Sequence, residues 1–203
     1  LAPGESVAVI GPNGSGKSTL LAVLARHLDP VSGRYLAATP TGEHDVLAEP
    51  LDAARARIAV VDDEPHVFAT TLRNNLTLAR PGASDEAVLR ALDRAGLGRL
   101  VSSLPNGLDT ILGAGGRGLS GGERARLAVA RAHLSGRPVI ALDEPVAHLD
   151  PPTAHSVLTD LLGRDDDTED GVDGPAPTVV LVTHRPDGLE LVDHVFTVSN
   201  PHR

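Results

Sequence analysis

The chain has 203 residues, 41% of them hydrophobic, which is enough for one domain with a substantial buried core. It has no cysteine, so disulfide scaffolds, cysteine-ligated zinc sites and cysteine nucleophiles are excluded. One Tyr, two Phe and no Trp leave almost no rings on which nucleic-acid bases could stack. The formal net charge of −9 also argues against binding to phosphate backbones or anionic lipid.

No apolar run approaches the roughly 20 residues that span a bilayer. The first five residues lack the basic and apolar regions of a signal peptide. These features predict a soluble, intracellular domain. A strand-like run begins at Ser6, almost at the first residue, so we expect the chain to start inside a larger polypeptide.

The predicted elements alternate between strands and helices. Short apolar runs predict strands at 6–10, 57–62, 139–142, 179–183 and 195–198. Helical spacing predicts helices over 17–28, with Leu28 on the apolar face, over 152–162, and through most of 71–134. Breaks are expected at 80–82 and 113–118, and a helix start near Ser84. Continuous apolar strands suit a parallel sheet covered on both faces, so we predict an α/β fold with a helical insertion.

Residues 163–178 form a low-complexity segment rich in Asp, Gly and Pro. One Arg against six acidic residues gives this segment −5 of the net charge of −9, so the acidity is concentrated in one place. We expect a flexible surface loop there rather than a metal site.

The first chemical motif follows the first predicted strand. Residues 11–18 fit the pattern G-x-x-x-x-G-K-[ST], and the strand before and helix after them argue against a coincidental glycine-rich turn. Glycines let successive backbone N–H groups converge on a phosphate at a helix N-terminus. The residues expected to hold the nucleotide are Gly11, Pro12, Asn13, Gly14, Ser15, Gly16, Lys17, Ser18 and Thr19. Lys17 is expected to reach the β- and γ-phosphates, and Ser18 to bind Mg²⁺.

A second motif ends the apolar strand at 139–142. Asp143 follows this strand and can hold Mg²⁺ directly or through water. The adjacent Glu144 can orient and polarise an attacking water. Adjacent acids are common in turns and would be a weak signal alone, but after a phosphate loop they are a strong one.

With these motifs and the sequence Leu119-Ser120-Gly121-Gly122-Glu123, the chain resembles ATP-binding-cassette (ABC) ATPase domains over essentially its whole length. LSGG[QE] is the signature of that family. The resemblance implies a single domain over 1–203. It would consist of a phosphate-loop NTPase core of RecA type over 1–68 and 137–203 and a helical subdomain over about 69–136.

The resemblance also implies roles for further residues. The signature residues would bind the γ-phosphate of ATP held by a partner domain, although Ser120 also fits a plain helix cap. Asp150 resembles the dimer-facing D-loop of the family. His184 resembles the switch histidine, which contacts the γ-phosphate and the attacking water. Each ATP site would then be composite, formed by two domains paired head to tail.

The sequence departs from the family pattern in three respects. Asp63, in Val61-Asp62-Asp63-Glu64-Pro65, stands where the family usually has Gln. Asp63 could approach Mg²⁺, but an ionised carboxylate cannot donate a hydrogen bond. Ala114 stands where Glu is common in exporters. The family's N-terminal strands, which carry a ring that stacks on adenine, are not found here, so we expect weaker nucleotide binding.

The function implied by the resemblance is ATP hydrolysis, with ATP and Mg²⁺ bound, coupled to export across a membrane. Residues 65–76 and 104–110 are similar to exporter-type domains. The segments Gly-Glu-Arg and Ala-His-Leu-Asp are similar to half-transporters that export cysteine or glutathione and support cytochrome bd assembly.

The implied partners are transmembrane helices, fused upstream or in a separate subunit, and a second ABC ATPase domain in a homo- or heterodimer. The expected location is the cytoplasmic face of the cell membrane, with no nucleic-acid partner. Two alternatives remain open. A catalytically weak regulatory nucleotide-binding module is favoured by Asp63 and Ala114, and a soluble ABC ATPase acting on DNA or ribosomes is disfavoured by the net charge.

Overall fold

Strands and helices alternate along the chain in the computed structural model, which describes residues 1–39, 42–162, 176–186 and 188–199. The strands are β1 (Ser6–Ile10), β2 (Leu36–Thr39), β3 (Gly42–Asp45), β4 (Ile58–Val61), β5 (Val139–Asp143), β6 (Thr178–Thr183) and β7 (His194–Thr197). The helices are α1 (Lys17–Leu24), α2 (Leu51–Arg55), α3 (Leu72–Thr77), α4 (Asp85–Arg94), α5 (Gly98–Ser103), α6 (Gly121–Leu134) and α7 (Pro151–Leu162).

Five parallel strands form the central sheet, in the order β4-β5-β6-β1-β7. A separate antiparallel hairpin consists of β2 and β3. The register of the large sheet pairs Ile10 with Thr183 and Asp143 with Val182, so the C-terminal ends of β1, β5 and β6 lie side by side. The loops that follow these strands therefore meet at one end of the sheet, where open α/β folds bind their ligands.

Strands β1, β4, β5 and β6 are largely buried, as continuous apolar strands covered on both faces require, whereas the edge strand β7 is exposed. One face packs on Leu21 of α1, and the other on Leu127 of α6 and Leu158 of α7. The sheet residues on the α1 face are Val9, Ile58, Ala141, Val180 and Val182, and those on the opposite face are Ala59, Val61, Ile140, Leu142, Val179 and Leu181. The predicted α/β fold with a parallel sheet is thus confirmed.

The insertion between β4 and β5 is helical, as predicted, and comprises α3 to α6. Ser84 and Ser120 begin α4 and α6, because each hydroxyl accepts a hydrogen bond from the backbone N–H three residues further on. The insertion shares one hydrophobic cluster with the sheet. No helix in the described part of the chain is long and apolar enough to cross a membrane.

Some predicted elements differ in extent from those observed. The helix predicted over 17–28 ends at Leu24, and Arg26 takes a left-handed conformation with φ of 56°. Leu28 is therefore 51% exposed and not on a buried helical face. The acidic segment predicted to run to residue 178 ends earlier because Thr178 begins β6, and its residues 163–175 lie outside the described ranges.

Candidate active site

The loop between β1 and α1 is shaped to surround an anion. Gly16 precedes α1 in the left-handed region, with φ of 97°, a conformation that a side chain would strain. None of the described side chains caps α1, so its first N–H groups keep their capacity to bind a ligand. Ser15 is buried, and its Oγ has no hydrogen-bond partner among the described residues.

Lys17 folds back over this loop. Its Nζ donates hydrogen bonds to the backbone oxygens of Gly11 at 2.9 Å and Pro12 at 3.2 Å. Lys17 is only 6% exposed, so the loop holds the ammonium group close to the N-terminal end of α1. Positive charge from Lys17 and from the helix end therefore acts on the same small volume, which suits phosphate groups.

The start of the loop is fixed by close packing against the segment after β7. A Cβ atom on Gly11 would lie 2.4 Å from the backbone oxygen of Val198 and 2.8 Å from Oγ of Ser15. Both distances are too short for a side chain, so glycine is required where the loop leaves β1. A cavity of about 460 Å³ adjoins this point and is lined by the start of the loop and by the segment that contains His184.

Asp143 lies at the end of β5, close to the side chain of Ser18. Its Oδ1 is buried without a hydrogen-bond partner among the described residues. Burial raises the pKa of Asp143, the nearby Ser18 hydroxyl opposes this, and the negative charges of Glu144, Asp63 and Asp62 raise the pKa further. A bound cation would supply both a partner for Oδ1 and the missing positive charge. Because Mg²⁺ prefers oxygen ligands, Ser18 and Asp143 fit this ion.

Asp63 is exposed but lies close enough to Asp143 to raise the pKa of that carboxyl group. In the described part of the chain, no group of three or more His, Asp or Glu side chains is arranged to hold a metal ion. Direct ligation of Mg²⁺ by Asp63 therefore stays a prediction. The contribution of Asp63 to this site is electrostatic, because its negative charge raises the pKa of Asp143.

Glu144 and His184 form a direct pair. Nδ1 of His184 lies 2.5 Å from Oε2 of Glu144, and the Glu144 side chain is 22% exposed. The backbone of Glu144 is left-handed, with φ of 49°, and its N–H donates to the oxygen of Val182 at 2.9 Å. A non-glycine residue in this conformation is strained, and such strain is concentrated at functional sites. The pair offers a partly buried carboxylate held in place by an imidazole.

The signature residue Ser120 begins α6 in a reciprocal capping box. Its Oγ accepts a hydrogen bond from the N–H of Glu123 at 3.2 Å, while the Glu123 carboxylate accepts one from the N–H of Ser120 at 2.6 Å. Asp150 begins α7 in a similar way, accepting from the N–H of Thr153 at 3.1 Å. The side-chain and backbone hydrogen bonds from Thr153 lower the pKa of Asp150.

The starts of α6 and α7 lie against each other. A Cβ atom on Gly121 would lie 2.9 Å from Cδ2 of Leu149, and one on Gly122 would lie 3.1 Å from Cγ2 of Thr153. The glycines of the signature therefore let the turn before α7 approach α6 closely. This proximity places the signature next to Asp150 within the same chain.

The predicted residues thus fall into two groups. The phosphate loop, Asp143, Glu144 and His184 gather at the C-terminal end of the sheet. The signature and Asp150 lie together at the starts of α6 and α7. Among the residues described, no hydrogen bond or ion pair joins the second group to the phosphate loop.

One residue near the site has contacts that sequence reasoning missed. Arg185 donates hydrogen bonds to the backbone oxygens of Val146 and Leu149, in the turn that follows Glu144. The only signal for Arg185 in the sequence is its position directly after His184. Its bonding partners lie more than 30 residues earlier, with a separation of 36 residues to Leu149, so no local pattern could indicate them.

Comparison with known proteins places this site in a family. Residues 1–147 match the family described as ABC transporter. Over 197 residues the chain is 41% identical to the glutathione/L-cysteine transport system ATP-binding/permease protein CydC of Escherichia coli K12, covering 97% of this chain and 32% of that protein. Over 200 residues it is 36% identical to the mycobactin import ATP-binding/permease protein IrtB of Mycobacterium tuberculosis H37Rv, covering 98% and 32%.

The same assignment follows from the fold. The structure is similar to a bacterial Atm1-family ABC exporter with ATP bound, with a TM-score of 0.80 and 30% identity over 98% of this chain and 33% of that one. The chain belongs to the ABC transporter family and corresponds to its nucleotide-binding domain. The predicted resemblance is confirmed, including the likeness to the cysteine and glutathione transport group. The chain spans about a third of the length of the relatives it matches.

Proposed function

We propose that the chain is the ATP-hydrolysing domain of a membrane exporter and acts at the cytoplasmic face of the cell membrane. The observation that carries this proposal is the pairing of Glu144 with His184 at 2.5 Å, beside Asp143 and the phosphate loop. A binding site alone would not need a partly buried carboxylate on a strained backbone next to the bound phosphates.

The phosphate loop, Asp143, Glu144 and His184 have different roles in hydrolysis. The N–H groups of the loop and Lys17 bind the phosphates, and Ser18 and Asp143 hold the metal ion. When bound, Mg²⁺ offsets the negative charge of the phosphates. Glu144 accepts a proton from the attacking water, and His184 keeps the carboxylate in place and contacts the γ-phosphate.

The second group supports a head-to-tail dimer. The signature lies at the positive, N-terminal end of α6, a helix of 14 residues, and Ser120 is exposed there. No described hydrogen bond or ion pair joins the signature to the phosphate loop of its own chain, and the family resemblance assigns it the γ-phosphate bound by another ABC ATPase domain. Each site is then composite, and an isolated chain is expected to be nearly inactive.

A membrane partner is supported by an exposed groove between the sheet and the insertion, whose lining is partly apolar and partly polar. A cavity of about 340 Å³ is lined by the end of β4, by α6 and by Phe68 and Leu78, which are 46% and 58% exposed. The backbone N–H of Gly115 donates to Val67 at 3.2 Å, so the segment before the signature lies next to this groove. The relatives are ATP-binding/permease proteins about three times as long, and we infer that a cytosolic segment of a transmembrane domain occupies the groove.

The likeness to CydC makes glutathione and cysteine the first substrates to test. IrtB is named as an import protein, so the direction of transport needs its own measurement. Membrane vesicles that contain the full-length protein, with its nucleotide sites facing the medium, should accumulate the thiol inside when ATP is added. Loss of preloaded thiol from such vesicles would indicate import instead.

The experiment that tests the catalytic assignment is E144Q in the full-length protein. The variant should bind ATP but release phosphate at under about 1% of the wild-type rate, because an amide cannot accept the proton from water. E190Q is the matched control, since Glu190 also faces a histidine, His155 at 3.5 Å, but is 59% exposed and has no hydrogen bond or ion pair to the described residues of the phosphate loop. Unchanged hydrolysis in E144Q would reject the assignment.

A catalytically weak regulatory module is the alternative that Asp63 and Ala114 favour, and the Glu144–His184 pair argues against it. Phosphate release by this protein alone and together with a second ABC ATPase subunit distinguishes the two. A regulatory module would release phosphate only at the rate of its partner, and E144Q in this chain would leave that rate unchanged.

A further inference from the structure

Arg185 bridges two loops that serve different parts of the proposed reaction. Its Nη1 donates to the backbone oxygens of Val146 at 3.3 Å and Leu149 at 3.1 Å. Its own backbone N–H donates to Oγ1 of Thr183 at 3.0 Å, and Thr183 is only 3% exposed. One end of the residue is therefore anchored at the end of β6, beside His184, while its guanidinium holds the turn after β5.

The turn that Arg185 holds begins at Glu144. The N–H of Ala147 donates to the oxygen of Glu144 at 3.0 Å, and the N–H of Leu149 donates to that of Val146 at 3.1 Å. At the far end of this turn, Leu149 lies against Gly121 at the start of α6. A single side chain thus contacts a turn that carries the candidate base at one end and touches the signature at the other.

We propose that Arg185 is a positioning residue that holds the 144–150 turn against the His184 segment. Glu144 then stays within reach of His184, and the start of α6 keeps its place relative to both. In one chain the hydrolytic group and the signature, which serve two different composite sites, are mechanically joined through this turn. The kinetic consequence rests on the proposed function, whereas the structural consequence does not.

Arginine suits this role because its planar guanidinium presents several N–H donors in a fixed arrangement that can span two carbonyl oxygens. Lysine keeps the charge and its ammonium can reach one carbonyl, but it lacks that fixed arrangement. Alanine removes both contacts. The hold on the 144–150 turn should therefore weaken in the order Arg, Lys, Ala at position 185. If only positive charge were required, Arg and Lys at this position would behave alike.

The test compares R185A and R185K with R55A in the full-length protein. Arg55 is the matched control, because its Nε and Nη2 also donate to a backbone oxygen, that of Arg26 at 3.2 and 3.1 Å, outside the site. Hydrogen exchange without nucleotide should show the amides of Ala147 and Leu149 exchanging about tenfold faster in R185A, less so in R185K, and unchanged in R55A.

Kinetics provide the second readout. In R185A, kcat for phosphate release should fall about tenfold or more, with KM for ATP within about twofold of wild type, because binding remains while the base is misplaced. R185K should recover part of kcat. If R185A does not accumulate, R185Q, which keeps one amide donor, replaces it.

Unchanged exchange at Ala147 and Leu149 in R185A would overturn the proposal, and so would a loss of kcat equal to that in R55A. Faster exchange with an unaltered kcat would overturn the positioning role in the reaction. If the wild-type protein releases no phosphate while R185A still shows faster exchange at these amides, the proposed hydrolysis is wrong and the structural link through Arg185 stands.

Discussion

Nδ1 of His184 lies 2.5 Å from Oε2 of Glu144, although the two residues are 40 positions apart in the sequence. Two features of the backbone bring them together. Asp143 and Val182 are paired in register, so the residues that follow β5 and β6 emerge side by side. The N–H of Glu144 then donates to Val182, and the left-handed backbone of Glu144, with φ of 49°, completes the turn at this point.

The first prediction concerns His184. H184A should lower kcat by about 10²-fold with little change in ATP binding, because Glu144 loses the group that orients its carboxylate. Phosphate release and nucleotide titration measure the two effects. H155A is the control, since His155 also faces a carboxylate, at 3.5 Å, but is 58% exposed and has no hydrogen bond or ion pair to the described residues of the phosphate loop. A kcat within twofold of wild type in H184A would show that the observed pair has no part in turnover.

The second prediction separates the two roles of Ser120. S120A and S84A each remove an N-cap hydroxyl, worth about 1 kcal/mol, and should lower Tm by a similar few degrees. Only S120A should also reduce phosphate release and ATP-dependent dimerisation, because only this cap lies at the signature. S120T, which keeps the hydroxyl, should restore most of the Tm. Equal kinetics in S120A and S84A would leave Ser120 as a helix cap alone.

The parts of the fold that sequence reasoning captured are those specified by local patterns. The strand predicted at 6–10 is β1 with the same bounds, and the loop after it needs particular residue types at fixed spacing. The acids at 143 and 144 follow an apolar strand and lie where that strand ends. The phosphate loop and the acids at 143 and 144 each lie within about ten residues of a strand that the sequence predicts. Both can therefore be recognised from the sequence without a structure.

The parts that were missed depend on contacts between distant segments. Strands β2 and β3, with the sequences LAAT and GEHD, contain almost no β-branched residues. Their position depends on tertiary contacts, such as the hydrogen bond from the Tyr35 hydroxyl to the oxygen of Leu24 at 3.1 Å and the ion pair of Arg57 with Glu49 at 2.7 Å. Helix α2 has five residues, too few to show a period.

The third prediction tests a buried polar cluster beneath Phe68. Asn75 is completely buried; its Oδ1 accepts from the N–H of Phe68 at 3.0 Å and from Nη2 of Arg131 at 2.5 Å. N75A would leave both donors without this partner and should cost about 2–3 kcal/mol in the free energy of unfolding, measured with urea. The neighbouring Asn74 is exposed, so N74A should cost under about 0.5 kcal/mol. An equal loss in the free energy of unfolding in N75A and N74A would mean that the buried hydrogen bonds of Asn75 stabilise the fold no more than an exposed amide does.

The fourth prediction concerns pH. Burial lowers the pKa of His133 to about 4, from 6.5, with a smaller contribution from the positive charge of Arg94. Between pH 6.5 and 4 the unfolded chain binds a proton that the folded chain does not, so the free energy of unfolding falls as the pH falls through this range. Above pH 6.5 neither state is protonated at His133, and the effect disappears.

H133Q removes this proton and should therefore flatten that part of the pH profile. Urea titrations at pH 7.5 and 5.0 measure the effect as the loss of stability between the two values. That loss should be about 2 kcal/mol larger in wild type than in H133Q, as the two pKa values require. H155Q is the control, because His155 is 58% exposed and its replacement should leave the profile close to that of wild type. Parallel profiles for wild type and H133Q would mean that His133 becomes protonated in the folded protein as readily as in the unfolded chain.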